Sequence, residues 1–306
     1  MARPSDIIAD ARQQNVIDRF APASAKPYFK LARLDRPIGT WLLLWPGLWA
    51  VALAAPTASL PDFQLIVLFF LGAFVMRGAG CTFNDIVDRD FDGRVERTRA
   101  RPIPSGQVTV TQSLIWMVAL GLIGLVILLQ MNRFAVTVGA ASLVLVAIYP
   151  FVKRVTYWPQ AWLGLTFNWG ALLGWAAVTG TIAEPALWLY VAGLFWTLGY
   201  DTIYAHQDKE DDALIGVKST ALRLGAQTRP WLFGFFATAI AGYAMAGHAA
   251  GLGTAFYVGC ALGAGQLVWQ AARVRLDQPE DCLAKFHSNT LFGWILFAAI
   301  IAGKYW

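Results

Sequence analysis

Two acidic clusters are the residues in this chain best placed to do chemistry. The first runs Asn84-Asp85-Ile-Val-Asp88-Arg-Asp-Phe-Asp92 and continues to Glu96; the second lies between Asp201 and Asp212. Together they hold ten of the 19 acidic residues, and each follows an apolar stretch of membrane length. Carboxylates at the mouth of a membrane helix are costly unless paired, hydrated or metal-bound. On a helix, Asp85, Asp88 and Asp92 fall at i, i+3 and i+7, on one face, with Arg77, Asn84 and Asp88 on an adjoining stripe. Asp201, Tyr204, Asp208 and Asp212 repeat the pattern at i, i+3, i+7 and i+11. Two such faces are expected to converge on one cavity and to hold Mg2+ and a diphosphate.

The physical need is specific. A diphosphate cannot rest beside carboxylates alone, and Mg2+ resolves the conflict through oxygen coordination by carboxylate, water and phosphate. The ion also neutralises charge on a departing diphosphate, and Arg and Lys complete the clamp. Departure from an allylic carbon leaves a cation that seeks an electron-rich partner. The competing reading is a solvated loop, since residues 84–101 hold five acids and five Arg. That reading would scatter the acids around the helix and has no need of two matching clusters. It fits Asp90, Glu96, Glu210 and Asp211, which fall off the main faces.

The elements that position these residues are membrane helices. Of the 306 residues, 57% are hydrophobic and 14% charged, and the mean hydropathy is +0.51. Soluble domains are about 25% charged, so the chain is read as an all-α polytopic membrane protein. Nine spans are expected, over 38–56, 63–83, 112–130, 134–151, 160–179, 186–205, 230–247, 251–272 and 289–304. Basic residues test the count. They crowd the tail and the connections after the second, fourth, sixth and eighth spans, while the other connections carry only Arg133. This alternation predicts a cytoplasmic amino terminus and an outer carboxyl terminus. Asp88 to Asp208 and Asp92 to Asp212 are both 120 residues apart, so two four-helix pseudo-repeats plus one helix are expected around a central cavity.

Residues 1–36 read as a cytoplasmic amphipathic arm on the membrane surface, followed by a transmembrane domain over 37–306. The arm has no apolar run with a cleavage site, and Asp6, Asp10 and Asp18 argue against a transit peptide. Cys81, Cys260 and Cys282 lie far apart and read as apolar filler. Asn168 and His206 read first as packing groups.

Four ordered blocks then resemble the UbiA-type intramembrane aromatic prenyltransferases. Asn84 to Gly106 resembles the first family signature, and Asp201 to Thr220 the second. Leu34-Asp-Arg-Pro-Ile-Gly-Thr-Trp-Leu-Leu-Leu-Trp-Pro46 and Tyr149-Pro-Phe-Val-Lys-Arg154 resemble further blocks of the 4-hydroxybenzoate branch. The resemblance implies attachment of a polyprenyl chain to 4-hydroxybenzoate in ubiquinone synthesis. It implies that Asn84, Asp85, Asp88, Asp92, Asp208 and Asp212 hold Mg2+-diphosphate, with Asp201 and Tyr204 deeper on the same face. Lys153 and Arg154 would meet phosphate oxygens, unless they are ordinary positive-inside anchors. Arg36 and Arg77 are candidates for the substrate carboxylate or for phosphate, and both assignments stay open.

The expected partners are polyprenyl diphosphate, 4-hydroxybenzoate and the lipid bilayer, with no nucleic acid and no obligate protein partner. A bacterial inner membrane is the expected location, with the site facing the cytoplasm. The rival readings are a sister enzyme with another acceptor, a Mg2+ or proton-coupled transporter, and a scaffold. A transporter would carry acids near the midplane, and this chain's outer half is almost free of charge.

Overall fold

The computed structural model describes residues 15–93 and 98–306. Arg3, Asp6, Asp10, Arg12, Arg94, Glu96 and Arg97 lie outside the described residues. The described residues form helices and no strand. By contact the chain divides into two compact units, Met1–Trp41 with Leu71–Leu128, and Leu42–Phe70 with Leu129–Trp306.

The first unit holds two short helices of the arm, α1 (Val16–Phe20) and α2 (Lys26–Leu31). It also takes in the first turn of α3 (Ile38–Ala54), most of α4 (Phe63–Asp92) and all of α5 (Val110–Leu128). Asn15 caps α1, its side-chain oxygen accepting from the Asp18 amide at 2.9 Å. Lys30 ties α2 back to Asp18 at 2.9 Å. Leu31, Ile86, Ile103 and Val108 form the core beneath this end. The Tyr28 ring meets Trp116 of α5 edge-on, 5.6 Å between centroids. α4 contains no Pro and stays helical through Asp92, so the first acidic cluster belongs to one unbroken helix.

The second unit is organised around α9 (Glu184–Ala205), which Glu184 and Pro185 open in its first turn. Around α9 pack α7 (Pro159–Phe167), α8 (Trp169–Thr179), α12 (Thr228–Ala249) and α14 (Pro279–His287). Outside these lie α6 (Arg133–Val155), α13 (Thr254–Arg273) and α15 (Asn289–Gly303). Small residues let backbones approach: a Cβ on Gly174 would stand 2.6 Å from the carbonyl oxygen of Gly47 on α3. Trp49 anchors α3 in this unit by donating to the Gly293 carbonyl at 3.0 Å and packing on Trp196, Tyr243 and Phe292. Two short helices, α10 (Lys209–Ile215) and α11 (Thr220–Leu224), follow α9.

All nine expected spans fall on helices, but 160–179 is broken at Asn168 into α7 and α8. Asn168 ends α7 with its side-chain amide donating to the Gly164 carbonyl and to Thr197 Oγ1, both at 2.8 Å, and no Pro marks the break. Among the described residues, five stretches are long and apolar enough to cross a bilayer: Phe63–Asp92, Val110–Leu128, Arg133–Val155, Thr220–Ala249 and Pro279–Gly303. The count of nine crossings is therefore not confirmed, while the multi-pass architecture is. α5 shows why a bilayer is required, with Ile115, Leu122 and Val126 all more than half exposed. Apolar surface of that extent is stable only against lipid or a partner.

Candidate active site

The first acidic cluster is assembled within the first unit. Asp85 and Asp88 are wholly buried on α4, and Asp92 is 7% exposed. Asp90 points away, its side chain 74% exposed. Asn84 is half-buried beside them. The face expected from the spacing is therefore real, and the off-face residue is solvated.

Two arginines that the spacing did not single out hold this face. Arg33 Nη2 donates to Asp85 Oδ1 at 2.5 Å, and Arg101 Nη1 donates to Asp85 Oδ1 at 3.2 Å and to Asp92 Oδ2 at 2.7 Å. Arg33 is itself 8% exposed. Burial works most strongly against its charge, but Asp85, Cys81 and Asp35 together outweigh burial and hold the guanidinium more firmly protonated than usual. Its backbone has φ of 57°, the left-handed region that side chains other than Gly seldom adopt. That conformation closes the end of α2, where the Leu34 amide donates to the Phe29 carbonyl at 3.0 Å. A sequence signal for the contact existed only in the Arg-rich character of 89–101 and of the arm.

Arg77 lies about two turns before Asn84 on α4 and donates from Nη1 to Cys81 Sγ. Arg36 is half-buried and pairs with Asp35 at 3.4 Å.

The second acidic cluster departs from expectation. α9 ends at Ala205, His206–Asp208 form a 3₁₀ turn, and α10 starts afresh at Lys209. Asp208 and Asp212 are therefore not on a continuation of the α9 face that carries Asp201 and Tyr204, because the 3.6-residue period is broken between them. Asp201, Tyr204, Asp208 and Asp212 are each half-buried. The Tyr204 ring packs on Phe286 of α14 at 4.5 Å between centroids. His206 is buried, its Nε2 3.0 Å from Thr228 Oγ1. Burial, with Lys209 nearby, lowers its pKa to about 4, so it is a neutral hydrogen-bonding group at physiological pH.

The loop after α10 joins the second cluster to the block around Lys153. The Lys218 amide donates to the Lys153 carbonyl at 3.0 Å and Lys218 Nζ to the Val155 carbonyl at 2.9 Å. The Thr220 amide donates to Gln160 Oε1 at 3.1 Å, and Thr220 Oγ1 lies 2.7 Å from Thr202 Oγ1. Lys153 is half-buried at the end of α6, while Arg154 is exposed with its guanidinium over the Phe151 ring at 5.5 Å.

The donor set fits a hard divalent cation in its chemistry: buried carboxylate oxygens and one amide oxygen, with Asp85 Oδ2 buried and lacking a hydrogen-bond partner among the described residues. Among the described residues, no three His, Cys, Asp or Glu side chains already stand together as a metal-binding group. In unit one the arginines supply the counter-charge instead.

The fold and these buried carboxylates define a class: polytopic helical membrane proteins with acidic helix ends. More particularly, residues 43–298 match the model of the UbiA prenyltransferase family, and the chain belongs to that family. It is 52% identical over 294 residues to the mitochondrial 4-hydroxybenzoate polyprenyltransferase of Arabidopsis thaliana, covering 96% of this chain and 72% of that protein. The protein of the same name from Caenorhabditis elegans is 51% identical over 283 residues, covering 92% of this chain and 80% of that one. Among solved structures, the apo UbiA homolog from Aeropyrum pernix K1 matches with a TM-score of 0.71 at 24% identity, over 85% of this chain and 96% of that one. The Archaeoglobus fulgidus UbiA homolog bound to GPP and Mg2+ matches with a TM-score of 0.62 at 16% identity, over 90% of this chain and 99% of that one. These two likenesses speak to the fold.

Proposed function

We propose that the chain transfers a polyprenyl chain from polyprenyl diphosphate to 4-hydroxybenzoate, joining the allylic carbon to the ring carbon ortho to the phenol. The observation that carries this is the identity to proteins of that name, 52% and 51%, running over more than nine-tenths of the chain. The buried carboxylate face of α4 supports it, since such a face requires positive partners.

Asn84, Asp88, Asp92, Asp208 and Asp212 would hold Mg2+, which when bound neutralises the diphosphate as it leaves. Asp85 belongs to the proposed metal set with its free oxygen, while its other oxygen keeps Arg33 and Arg101 in place. Lys153 would offer a further cation to phosphate, and Arg154 is the weaker candidate because it is exposed on Phe151. Arg36 and Arg77 would bind the acceptor carboxylate or a phosphate. Asp201 and Tyr204 would line the acceptor side, with Tyr204 held by Phe286. The prenyl tail stays in the lipid phase, because moving it into water costs about 0.8 kcal/mol per CH2.

The test uses purified protein, a polyprenyl diphosphate and a panel of phenolic acids. With 4-hydroxybenzoate and Mg2+, mass analysis should show one new carbon–carbon bond at position 3, and chelator should abolish it until Mg2+ is restored. Benzoate should not react, as it lacks the hydroxyl that makes the ring electron-rich. Preference for homogentisate over 4-hydroxybenzoate would overturn the acceptor and leave prenyl transfer standing.

The membrane assignment is multi-pass. The named relatives are mitochondrial, so the expected bacterial inner membrane finds no support from them. We infer sidedness from the charge alternation: the basic connections and the amino terminus on one side, the carboxyl terminus on the other. A reporter fused after Trp306 should read opposite to one fused at the amino terminus. Reporters that read on the same side would sink the odd number of crossings.

A further inference from the structure

Gly39 sits buried in the first turn of α3, in the first unit, with the guanidinium of Arg77 laid against its α-carbon. A Cβ built on Gly39 would stand 2.5 Å from Arg77 Nε and Nη2 and 2.8 Å from Cζ. Separations under 3.0 Å are essentially never found for real Cβ atoms. The φ of Gly39 is not in the left-handed region, so its backbone conformation does not demand glycine; the neighbouring cation does. On its other side the same guanidinium donates to Cys81 Sγ. Arg77 is thus seated between a bare α-carbon and a thiol one turn along its own helix.

The atoms that a Cβ would strike are the far end of a flexible side chain, not backbone. A side chain at position 39 is therefore accommodated by moving the Arg77 head, and the helices need not part. Gly80, on the same helix as Arg77, has nothing within 4 Å of its would-be Cβ. Glycine at 80 is open where glycine at 39 is filled.

We propose that Gly39 is a positioning residue for substrate: its missing side chain leaves the seat that sets the direction from which the Arg77 cation meets the anion it binds. This rests on the reading above in which Arg77 binds the acceptor carboxylate or a phosphate. It also assigns a role to the Leu34–Pro46 block beyond supplying Arg36. A guanidinium recognises carboxylate or phosphate through a planar fork, so a displaced head loses geometry as well as distance. A misplacement of about 1 Å in a positioning group can cost on the order of 10²-fold.

The experiment compares the full chain with Gly39→Ala, Gly80→Ala, Arg77→Ala and the Gly39→Ala/Arg77→Ala double variant, all in lipid nanodiscs. KM for each of the two substrates, kcat and the thermal midpoint are measured. Gly39→Ala should raise KM for one anionic substrate about 10- to 100-fold, the same substrate that Arg77→Ala affects, with the midpoint and kcat little changed. Gly80→Ala should behave as the unmodified chain. The double variant should be no worse than Arg77→Ala alone, because the clash is gone once the guanidinium is removed.

Unmodified kinetics in Gly39→Ala beside impaired Arg77→Ala would overturn the role of Gly39 and leave that of Arg77 intact. Losses that multiply in the double variant would do the same. Unmodified KM values in Arg77→Ala would sink the anion-binding reading, and this proposal with it. Should Gly39→Ala fail to fold, recovery of folding in the double variant supports the seat, and failure there overturns it.

Discussion

Asp88→Asn should lower turnover by about 10²–10³-fold, the usual cost of losing one electrostatic contributor at a reacting centre, and Asp208→Asn should do the same. Asp88 is wholly buried on α4, and Asn keeps its shape while removing the charge that a divalent cation and its diphosphate require. Asp208 lies in the 3₁₀ turn between α9 and α10, half-buried, where the same exchange removes the same charge. Asp90→Asn provides the control, since that side chain is 74% exposed and off the buried face. Single-turnover rates with saturating Mg2+ and both substrates read the chemical step. If Asp88→Asn and Asp208→Asn both stay within about twofold of the unmodified chain, a loss far smaller than a reacting-centre charge carries, the clusters are solvated decoration. A loss in Asp90→Asn as large as in Asp88→Asn would show that charge near the bilayer, not geometry, is being measured.

The contrast between the two clusters shows what spacing can and cannot reveal. Around Asn84–Asp92 the helical period places Asp85, Asp88 and Asp92 on one face, and α4 keeps that period to its end, so burial follows the prediction. Around Asp201–Asp212 the same arithmetic fails. Between Asp201 and Gly216 there is no Gly or Pro to mark a stop. The 3₁₀ turn at His206 instead packs against α14, some 70 residues later in the chain. A break fixed by tertiary packing has no local sign. The break at Asn168 is of the same kind: its amide reaches Thr197 on α9, 29 residues away.

The arginines that hold Asp85 were hidden for a related reason. Arg33 reads as one more basic residue of a membrane-surface arm, and Arg101 as one of five in a basic connection. Their role appears only when a contact spanning 52 residues, Arg33 to Asp85, is known. Positive-inside alternation accounts for why cations are present on this side. It does not distinguish those facing lipid headgroups from those turned inward onto a carboxylate. Glycines carry the same lesson. Gly39 and Gly80 look alike in the chain, and only the position of the Arg77 guanidinium separates them.

Arg33→Met should destabilise the protein by about 3–5 kcal/mol, the range for removing one partner of a buried ion pair. Asp85 is wholly buried, and Arg33 approaches it at 2.5 Å. Arg101, at 3.2 Å, remains but is also committed to Asp92. The positive φ at position 33 costs Met about what it costs Arg, so the comparison isolates the charge. Replacing both partners, as Arg33→Met/Asp85→Leu, should recover much of the loss, because an apolar pair leaves no buried carboxylate to satisfy. Arg33→Gly would relieve the backbone while still losing the pair, and should fall between the unmodified chain and Arg33→Met. Unfolding in mild denaturing detergent, followed by Trp fluorescence, supplies the measurement. An Arg33→Met midpoint equal to that of the unmodified chain would mean Arg101 alone satisfies Asp85. A double variant as unstable as the single one would mean that Arg33 acts through its stem and its fold at the end of α2, and not through the carboxylate. Asp88→Asn, which leaves the Arg33–Asp85 and Arg101–Asp92 pairs in place, should lower turnover by about 10²–10³-fold, and its midpoint measured beside that of Arg33→Met compares loss of a charge at the proposed metal site with loss of the ion pair.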